Sequence, residues 1–467
     1  MPKDMLQIYT ILCNFAPRMK NTAVNNNDLS EKPTSRKGLL ALSPLLVFLC
    51  VYLTTALIEQ DFYAIPMSFS FLVAAIYALC IAKGNSLKER LSIFKKGASE
   101  KNILLMIGIF IMAGIFASTA KAMGAIDAIV NISIQILPGH FLYAGLFLAA
   151  CFISMAIGTS VGTIVALVPI ASGIADQLAA GGETGVICSA PFITSIIVGG
   201  AFFGDNLSFI SDTTIAATRT QKCSMKDKFK VNFRIVWPAA LLVTIAYIFI
   251  GSNIAVSPEV GVTSNWILFI PYLLVITLAV FGVNVLIVLA IGIISNCIIG
   301  ACSGALDLSG FSLAAADGVL GMSDLIAVTL LAGGMLEIIR AGGGLDYVVG
   351  IITRNIKSKQ GAEFSIAGLV SFANVCTANN TIAIISMGGI ARSISERFGI
   401  DPRKSASILD TFSCLVQGFL PYGAQLLLAS QLSGTSPLGI AQYLYYPLVL
   451  GICAFIAIRF RLPRRYS

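Results

Sequence analysis

The chain has 467 residues, of which 57% are hydrophobic and 12% charged, and its mean hydropathy is +0.87. A soluble domain carries about 25% charged residues, so this composition excludes an ordinary soluble protein. The net charge of +8 comes from short basic clusters between apolar runs, the pattern of cytoplasmic membrane loops rather than of nucleic-acid binding. The 11 cysteines form no CxxC pair and there is one histidine, so neither a disulfide framework nor a zinc site is expected.

The first predicted element is a polar tail at 1–38, which we expect to be disordered and cytoplasmic. Apolar runs of about 16–25 residues then recur, and each can cross a hydrocarbon layer of about 30 Å as a helix. Short alternating strands are absent from the sequence. These patterns predict an all-α, polytopic integral membrane protein. The apolar runs lie at 39–58, 64–82, 103–120, 141–157, 235–250, 265–281, 284–300 and 438–459.

The two halves of the chain resemble each other at a shift of 218 or 219 residues. The matching pairs are AKAMGAIDAIV at 120–130 with IRAGGGLDYVV at 339–349, TSVGTIVAL at 159–167 with TANNTIAII at 377–385, and VGGAFF at 198–203 with VQGFLP at 416–421. Nearly the same shift in three separate segments predicts an internal duplication. We place the transmembrane repeats at 39–250 and 265–460, joined by an extracytoplasmic linker at 251–264.

The distribution of Lys and Arg predicts opposite orientations for the two repeats. The basic loops at 83–101 and 219–234 should be cytoplasmic, and the acidic loop at 176–186 should lie outside. The duplication pairs 176–186 with 394–404, which is basic, and 219–234 with 437–452, which contains no Lys or Arg. Because the charge changes sides, we predict two inverted-topology repeats.

Inverted repeats are typical of secondary transporters, in which exchange between two related packings exposes one midplane site alternately to each side. No Ser/His/Asp set, HExxH or GxxxxGK motif is present, so we expect neither an enzyme nor a cofactor. We expect a multi-pass protein of the cell inner (cytoplasmic) membrane, with both termini, including the tail at 461–467, in the cytoplasm. Its expected partners are membrane lipid and small cations, with no nucleic acid, and a homodimer is left open.

An acidic segment, GAFFGDNLSFISDTT at 200–214, interrupts an apolar region. On a continuous helix Asp205 and Asp212 would lie within about 20° of one face. Burying a carboxylate in a membrane costs about 2.5–3.5 kcal/mol or more. No Lys or Arg occurs between 122 and 218, so we predict that Na⁺ or a proton neutralises the two carboxylates. The alternative is a pair of helix-capping aspartates at the membrane edge. The predicted Na⁺ ligands are Asp205 and Asp212, with Asn206, Ser208, Ser211 and Thr213 beside them.

Two further polar clusters occupy equivalent places in the repeats and predict helix breaks or hairpin tips. GTSVGT at 158–163 offers Thr159, Ser160 and Thr163, and TANNT at 377–381 offers Asn379, Asn380 and Thr381. Irregular backbone at membrane depth requires cover by protein or a cavity. The alternative is helix packing through small residues. Whether 141–175 and 364–391 are re-entrant hairpins or full crossings stays open. The segment 418–429 carries no carboxylate, so we assign the charge chemistry to the first repeat.

Three other features have two interpretations each. Glu337 beside Arg340 is either a second ionisable site or an interfacial ion pair. The recurring pairs Lys121/Arg340 and Asp127/Asp346 are interpreted as symmetric scaffolding rather than as transport residues. His140 is interpreted as an interfacial anchor.

GAFFGDNLSFISDTT resembles the signature of the NhaC family of Na⁺/H⁺ antiporters, a branch of the ion transporter superfamily. GTSVGT is similar to the Gly-Thr-Ser break of that family, and ANNTIAI is similar to its second-half counterpart. The resemblance covers about residues 40–460, although the family commonly has Pro where this chain has Phe209. It implies exchange of Na⁺ or Li⁺ for H⁺ by alternating access. Relatives that exchange organic acids such as malate and lactate, or amino acids, coupled to Na⁺ or H⁺, supply the alternative.

Overall fold

The computed structural model describes residues 35–467 apart from 60–65, 83, 85, 127, 129–138, 183–184, 209–210, 253–265, 282, 355, 464–465 and 467. Nearly all of the predicted disordered tail and most of the predicted linker therefore lie outside the described residues. Within the described part of the chain there are α-helices and short 3-10 turns but no strand, which confirms the all-α prediction.

The helices of the first half precede the linker. They are α1 Ser35–Glu59, α2 Met67–Ile81, α3 Leu87–Ala98, α4 Lys101–Ala122, α5 Leu142–Ile157, α6 Ser160–Ala180, α7 Ala190–Leu207, α8 Asp212–Gln221 and α9 Met225–Gly251. Short 3-10 turns at Gly139–Phe141 and Val186–Cys188 lead into α5 and α7.

The helices of the second half begin after a 3-10 turn at Trp266–Phe269. They are α10 Ile270–Val280, α11 Val285–Ser303, α12 Leu308–Gly321, α13 Ser323–Ala341, α14 Gly344–Thr353, α15 Lys359–Thr377, α16 Asn380–Phe398, α17 Pro402–Phe419, α18 Ala424–Ser433, α19 Pro437–Ala441 and α20 Tyr445–Arg459. Seven helical segments among the described residues are long and apolar enough to cross a membrane, and shorter apolar helices accompany them. The protein is therefore a multi-pass membrane protein.

Equivalent hydrogen bonds in the two halves show that the duplication extends to the tertiary structure. Ser154 Oγ on α5 donates to Ala201 O on α7 at 2.6 Å. In the second half Asn374 Nδ2 on α15 donates to Ser413 O on α17, also at 2.6 Å. Each bond joins the first arm of a helical hairpin to the helix that follows the hairpin. The prediction of two repeats with broken helices is confirmed.

The register of one sequence match changes in the structure. Helices α7 and α17, and the breaks that follow them, correspond at a shift of 212 residues. The pairing of 198–203 with 416–421 is therefore wrong by six residues. The cause is a loop-length difference: residues 181–189 join α6 to α7, whereas only residues 399–401 join α16 to α17.

Helix α7 lies at the centre of the first repeat and is buried along nearly its whole length, from Phe192 to Leu207. Glycines on α7 allow α5 to approach closely, because a Cβ at Gly200 would lie 2.5 Å from Ala150 Cβ, and one at Gly204 would overlap the Ser154 side chain. Small residues at a helix contact are the usual basis of close packing in membranes. This contact fixes the end of α7, where Asp205 lies, against the hairpin formed by α5 and α6.

Candidate functional site

The hairpin of α5 and α6 turns at a buried tip. Helix α5 ends at Gly158, whose φ of 78° is a left-handed conformation that glycine adopts without strain. Thr159 is extended and precedes α6, but its side chain does not cap the new helix. Instead, the Ser160 backbone N–H donates to Asp205 Oδ1 at 2.9 Å. A carboxylate from α7 therefore caps α6, where the helix dipole favours negative charge.

Asp205 itself is almost completely buried, with 4% of its surface exposed. Among the described residues it forms no ion pair, so its carboxylate is held by the N-terminus of a helix and not by a cationic side chain. Burying a carboxylate without a full counter-charge is unfavourable. The position of Asp205 therefore favours occupancy by a proton or a small cation.

The helix that carries Asp205 ends two residues later. Leu207 is the last residue of α7, Ser208 and Ser211 have extended backbone conformations, and α8 begins at Asp212. The predicted placement of Asp205 and Asp212 on one face of a continuous helix is therefore wrong. The physical reason is that Ser and Asp favour helix N-termini and interrupt helices. Asp212 lies in the first turn of α8 and is exposed, unlike Asp205.

The remaining predicted residues of this segment surround the break. Thr213 Oγ1 donates to Asp205 O at 3.0 Å and lies 2.8 Å from Ser211 Oγ, so hydroxyl groups span the interruption. Ser208 is buried, and its backbone N–H donates to Gly204 O at 2.7 Å. Asn206 is fully buried, and its Nδ2 donates to Phe202 O at 2.9 Å. The break therefore presents backbone, hydroxyl and amide oxygens beside one buried carboxylate.

The second hairpin, α15 and α16, has a tip of the same construction. Ala378 is left-handed with φ 49°, and Asn379 is extended and caps α16 by accepting from Ile382 N–H at 3.0 Å. Asn380 Oδ1 accepts from Thr381 N–H at 3.0 Å. Unlike the first tip, this one is capped by its own Asn379, so it does not need a carboxylate from another helix.

A chain of glutamines joins the two tips. Gln417 is the structural equivalent of Asp205, and its Nε2 donates to Ala378 O at 3.0 Å and to Gln425 Oε1 at 2.8 Å. Gln425 Nε2 in turn donates to Ser160 Oγ at 3.1 Å. The structure therefore links Asp205, Ser160 and the second tip through direct hydrogen bonds.

Three predicted residues lie at the edges of this network. Thr163 is fully buried and its Oγ1 donates to Thr159 O at 3.3 Å, within the first turn of α6. Asn379 Nδ2 contacts Met106 Sδ at 3.7 Å, and Asn380 Nδ2 contacts the Cys414 thiol at 3.8 Å. These amides contact sulfur atoms and not the Asp205 carboxylate.

Two charged residues that the sequence analysis missed lie beside the break. Lys228, assigned to a cytoplasmic loop, is 1% exposed in α9, and its Nζ lies 2.5 Å from Asp410 Oδ2 on α17. Asp410 is fully buried, so the assignment of charge chemistry to the first repeat alone is wrong. The available signal was Asp410 within the apolar stretch 405–420; the comparison at 418–429 began too late to include it.

The other ionisable residues are peripheral. Glu337 lies 2.6 Å from Lys96 Nζ and 3.6 Å from Arg340 Nη1, which favours the interfacial ion pair over a second ionisable site. Asp127, one member of the recurring acidic pair, lies outside the described residues. His140 lies in the 3-10 turn that leads into α5. No group of three His, Cys, Asp or Glu side chains in the described ranges could hold a metal ion.

The fold and the site together define a membrane transporter built from two inverted repeats with broken helices. The chain belongs to the Na⁺/H⁺ antiporter family, whose family model matches residues 20–252 and again residues 253–462. The second match repeats the duplication seen in the helices. The family consists of transporters, so the protein is a secondary transporter rather than an enzyme.

Two curated relatives and one solved structure are similar to the chain. The malate-2H⁺/Na⁺-lactate antiporter of Bacillus subtilis is 23% identical over 87% of this chain and 92% of the relative. The Na⁺/H⁺ antiporter NhaC of the same organism is 26% identical over 70% of this chain and 77% of the relative. The crystal structure of the Alcanivorax borkumensis YdaH transporter, which has an unusual topology, matches with a TM-score of 0.41 and 13% identity over 90% of this chain and 99% of its own.

Proposed function

We propose that the protein exchanges Na⁺ or Li⁺ for H⁺ across the cytoplasmic membrane by alternating access. The observation that carries the proposal is the buried Asp205 carboxylate, held by the Ser160 N–H where the first hairpin tip meets the α7/α8 break. A proton and a Na⁺ ion each neutralise this carboxylate, and one site cannot hold both on the same oxygen. Competition at one alternately exposed site is sufficient to couple the two ions.

The oxygen atoms around Asp205 suit a hard monovalent cation. We propose that the hydroxyl groups of the break and the first tip complete the coordination as the helices rearrange, and that the second tip closes the other side. The proposed set is Asp205, Asn206, Ser208, Ser211, Thr213, Thr159, Ser160, Thr163, Asn379, Asn380 and Thr381. Asp212, exposed at the start of α8, serves in this proposal as the second carboxylate, which attracts cations toward Asp205.

The inverted repeats provide the motion for this proposal. Each hairpin tip contacts the helix break of its own repeat, through Asp205 in the first half and Gln417 in the second. Exchanging the packings of the two repeats would open the space between the tips first to one side and then to the other. Both termini are cytoplasmic in this arrangement, as the basic clusters indicate.

The test measures proton movement in everted membrane vesicles with a pH-sensitive dye while Na⁺, Li⁺ or K⁺ is added. Wild-type vesicles should lose their pH gradient on addition of Na⁺ or Li⁺. Asp205→Asn, which keeps an oxygen acceptor for Ser160 N–H, should abolish this response while the protein accumulates normally. The matched control is Asp176→Asn, the same change at an exposed carboxylate on α6, which should leave exchange intact. Normal exchange by Asp205→Asn would refute the site.

A second candidate is exchange of an organic acid coupled to Na⁺ or H⁺. It is favoured by the second tip, where Asn379 and Asn380 stand at the N-terminus of α16, a position that binds anions such as carboxylates. The similarity to a malate-2H⁺/Na⁺-lactate antiporter supports the same candidate. Proteoliposomes loaded with labelled malate or lactate distinguish the two: solute counterflow supports this candidate, and pH changes driven by Na⁺ alone support the first.

A further inference from the structure

A buried lysine occupies an all-oxygen cage beside the α7/α8 break. Lys228 Nζ donates to Asn206 O at 2.9 Å, to Thr214 Oγ1 at 2.8 Å and to Asp410 Oδ2 at 2.5 Å. Asn206 precedes the break and Thr214 follows it, whereas Asp410 belongs to the second repeat. The ammonium group therefore connects both sides of the break to the opposite repeat.

The cage is more extensive than the lysine requires. Asn232 Nδ2 also donates to Asn206 O at 2.8 Å and to Asp410 Oδ2 at 2.9 Å, and Ser407 Oγ donates to Asn232 Oδ1. Asp410 Oδ1 and Asn206 Oδ1 are buried and have no hydrogen-bond partner among the described residues. Buried oxygens of this kind ordinarily have a partner. Two acceptors thus remain available in a region that excludes bulk water.

The ligand types in the cage are those of a hard cation: a carboxylate, a hydroxyl and a backbone carbonyl. Lysine supplies a compact point charge on a flexible stem, so its ammonium can occupy a place otherwise suited to a metal ion. We infer that the cage of Asn206, Thr214 and Asp410 is a latent Na⁺ site that the tethered ammonium of Lys228 keeps filled.

The consequence for transport, which rests on the proposed function, concerns the number of ions. Lys228 neutralises Asp410, so Asp205 is the carboxylate at the break that is buried without a counter-charge within the described structure. One buried negative charge accommodates one Na⁺ or one proton at a time. Lys228 would thus limit the buried site to a single monovalent cation by occupying the second place itself.

The test is equilibrium binding of radioactive sodium to the purified full-length protein at alkaline pH. Lys228→Met removes the ammonium and keeps most of the side-chain volume, so it should bind about one additional Na⁺ per chain compared with wild type. The additional ion should disappear in Lys228→Met/Asp410→Asn, which lacks the carboxylate of the cage. Lys230→Met, which removes an exposed ammonium from the same helix, should bind as wild type does.

The Asp205→Asn background separates this inference from the proposed function. If both hold, Asp205→Asn loses the wild-type Na⁺ and Asp205→Asn/Lys228→Met binds only the added one. If Asp205→Asn leaves wild-type binding unchanged but Lys228→Met still gains an ion that depends on Asp410, the proposed site fails and the latent site stands. Folded Lys228→Met with wild-type stoichiometry overturns the latent site.

Folding provides a second measurement, because Na⁺ should replace the missing ammonium. Lys228→Met and Lys228→Gln, whose amide can still donate to Asp410, should be recovered in larger folded yield when purified in Na⁺ than in choline. Failure of both variants to fold even in saturating Na⁺ would overturn the inference, because the cage would then be unable to accept the ion.

Discussion

The contact between Asp205 and the first hairpin tip makes a prediction that separates structural from ionic roles. The carboxylate accepts from the Ser160 backbone N–H, the first amide of α6. Asp205→Asn keeps an oxygen that can accept this hydrogen bond and removes the charge. Asp205→Ala removes both, because the Thr159 side chain does not cap α6. Both variants should lack exchange, but they should differ in stability.

The size of the difference follows from the burial of the tip. Ser160 is 2% exposed, so its N–H in the alanine variant would lose its acceptor without gaining water. A buried donor left unsatisfied costs about 1–3 kcal/mol. Loss of the charge at the helix N-terminus costs about 0.3–1 kcal/mol, but relief of carboxylate burial offsets it in both variants. Asp205→Ala should therefore be less stable than Asp205→Asn by about 1–3 kcal/mol.

The assay is unfolding of the purified variants in detergent without Na⁺, followed by tryptophan fluorescence. Asp176→Ala and Asp176→Asn form the matched control, because this carboxylate is exposed and the two changes should agree within about 0.5 kcal/mol. Equal stability of Asp205→Ala and Asp205→Asn would refute the reasoning, since it would show that another acceptor satisfies Ser160 N–H.

Two further predictions concern packing and pH. Gly204→Ala would place a Cβ against the Ser154 side chain and separate α5 from α7, so it should cost about 1–3 kcal/mol in unfolding and reduce exchange, whereas Gly389→Ala, with no atom within 4 Å, should be neutral or stabilising; a Gly204→Ala protein with wild-type stability would contradict this. Burial raises the pKa of the Glu100 carboxyl above its ordinary 4.5, with Arg340 opposing and Glu337 adding to the shift. The native state then binds more protons than the unfolded state as the pH rises past that value, so Glu100 lowers stability there. Glu100→Gln should exceed wild type in thermal stability at neutral pH and lose the advantage on acidification; an advantage that grows on acidification would reverse the sign.

Local sequence patterns were sufficient to predict most of the fold. Apolar run length indicated the spans, because a helix must cross a hydrocarbon layer of fixed thickness. The matching of 159–167 with 377–385 indicated two equivalent breaks, and the structure has a left-handed residue at each tip, Gly158 and Ala378. These features depend on a few neighbouring residues, which is why the sequence alone revealed them.

The errors all involve segments that lie far apart along the chain. Asp205 and Asp212 are seven residues apart, but the intervening helix break, which follows from residues 208–211, gives them different environments. Lys228 looked like a loop cation because its partner, Asp410, lies 182 residues away on the other repeat. A basic residue next to a loop and one buried against a distant carboxylate have the same local sequence pattern, so only the tertiary structure distinguishes them.

The comparison of equivalent positions explains how a symmetric scaffold can hold an asymmetric site. Asp205 and Gln417 occupy the same place in the two repeats, and each contacts the tip of its own hairpin. The carboxylate accepts from the start of α6, whereas the amide donates to the carbonyl of Ala378 after α15. A glutamine in both places would leave the tips without a charge to attract a cation, and an aspartate in both would bury two charges. One of each keeps the shared packing and leaves one charged position between the tips.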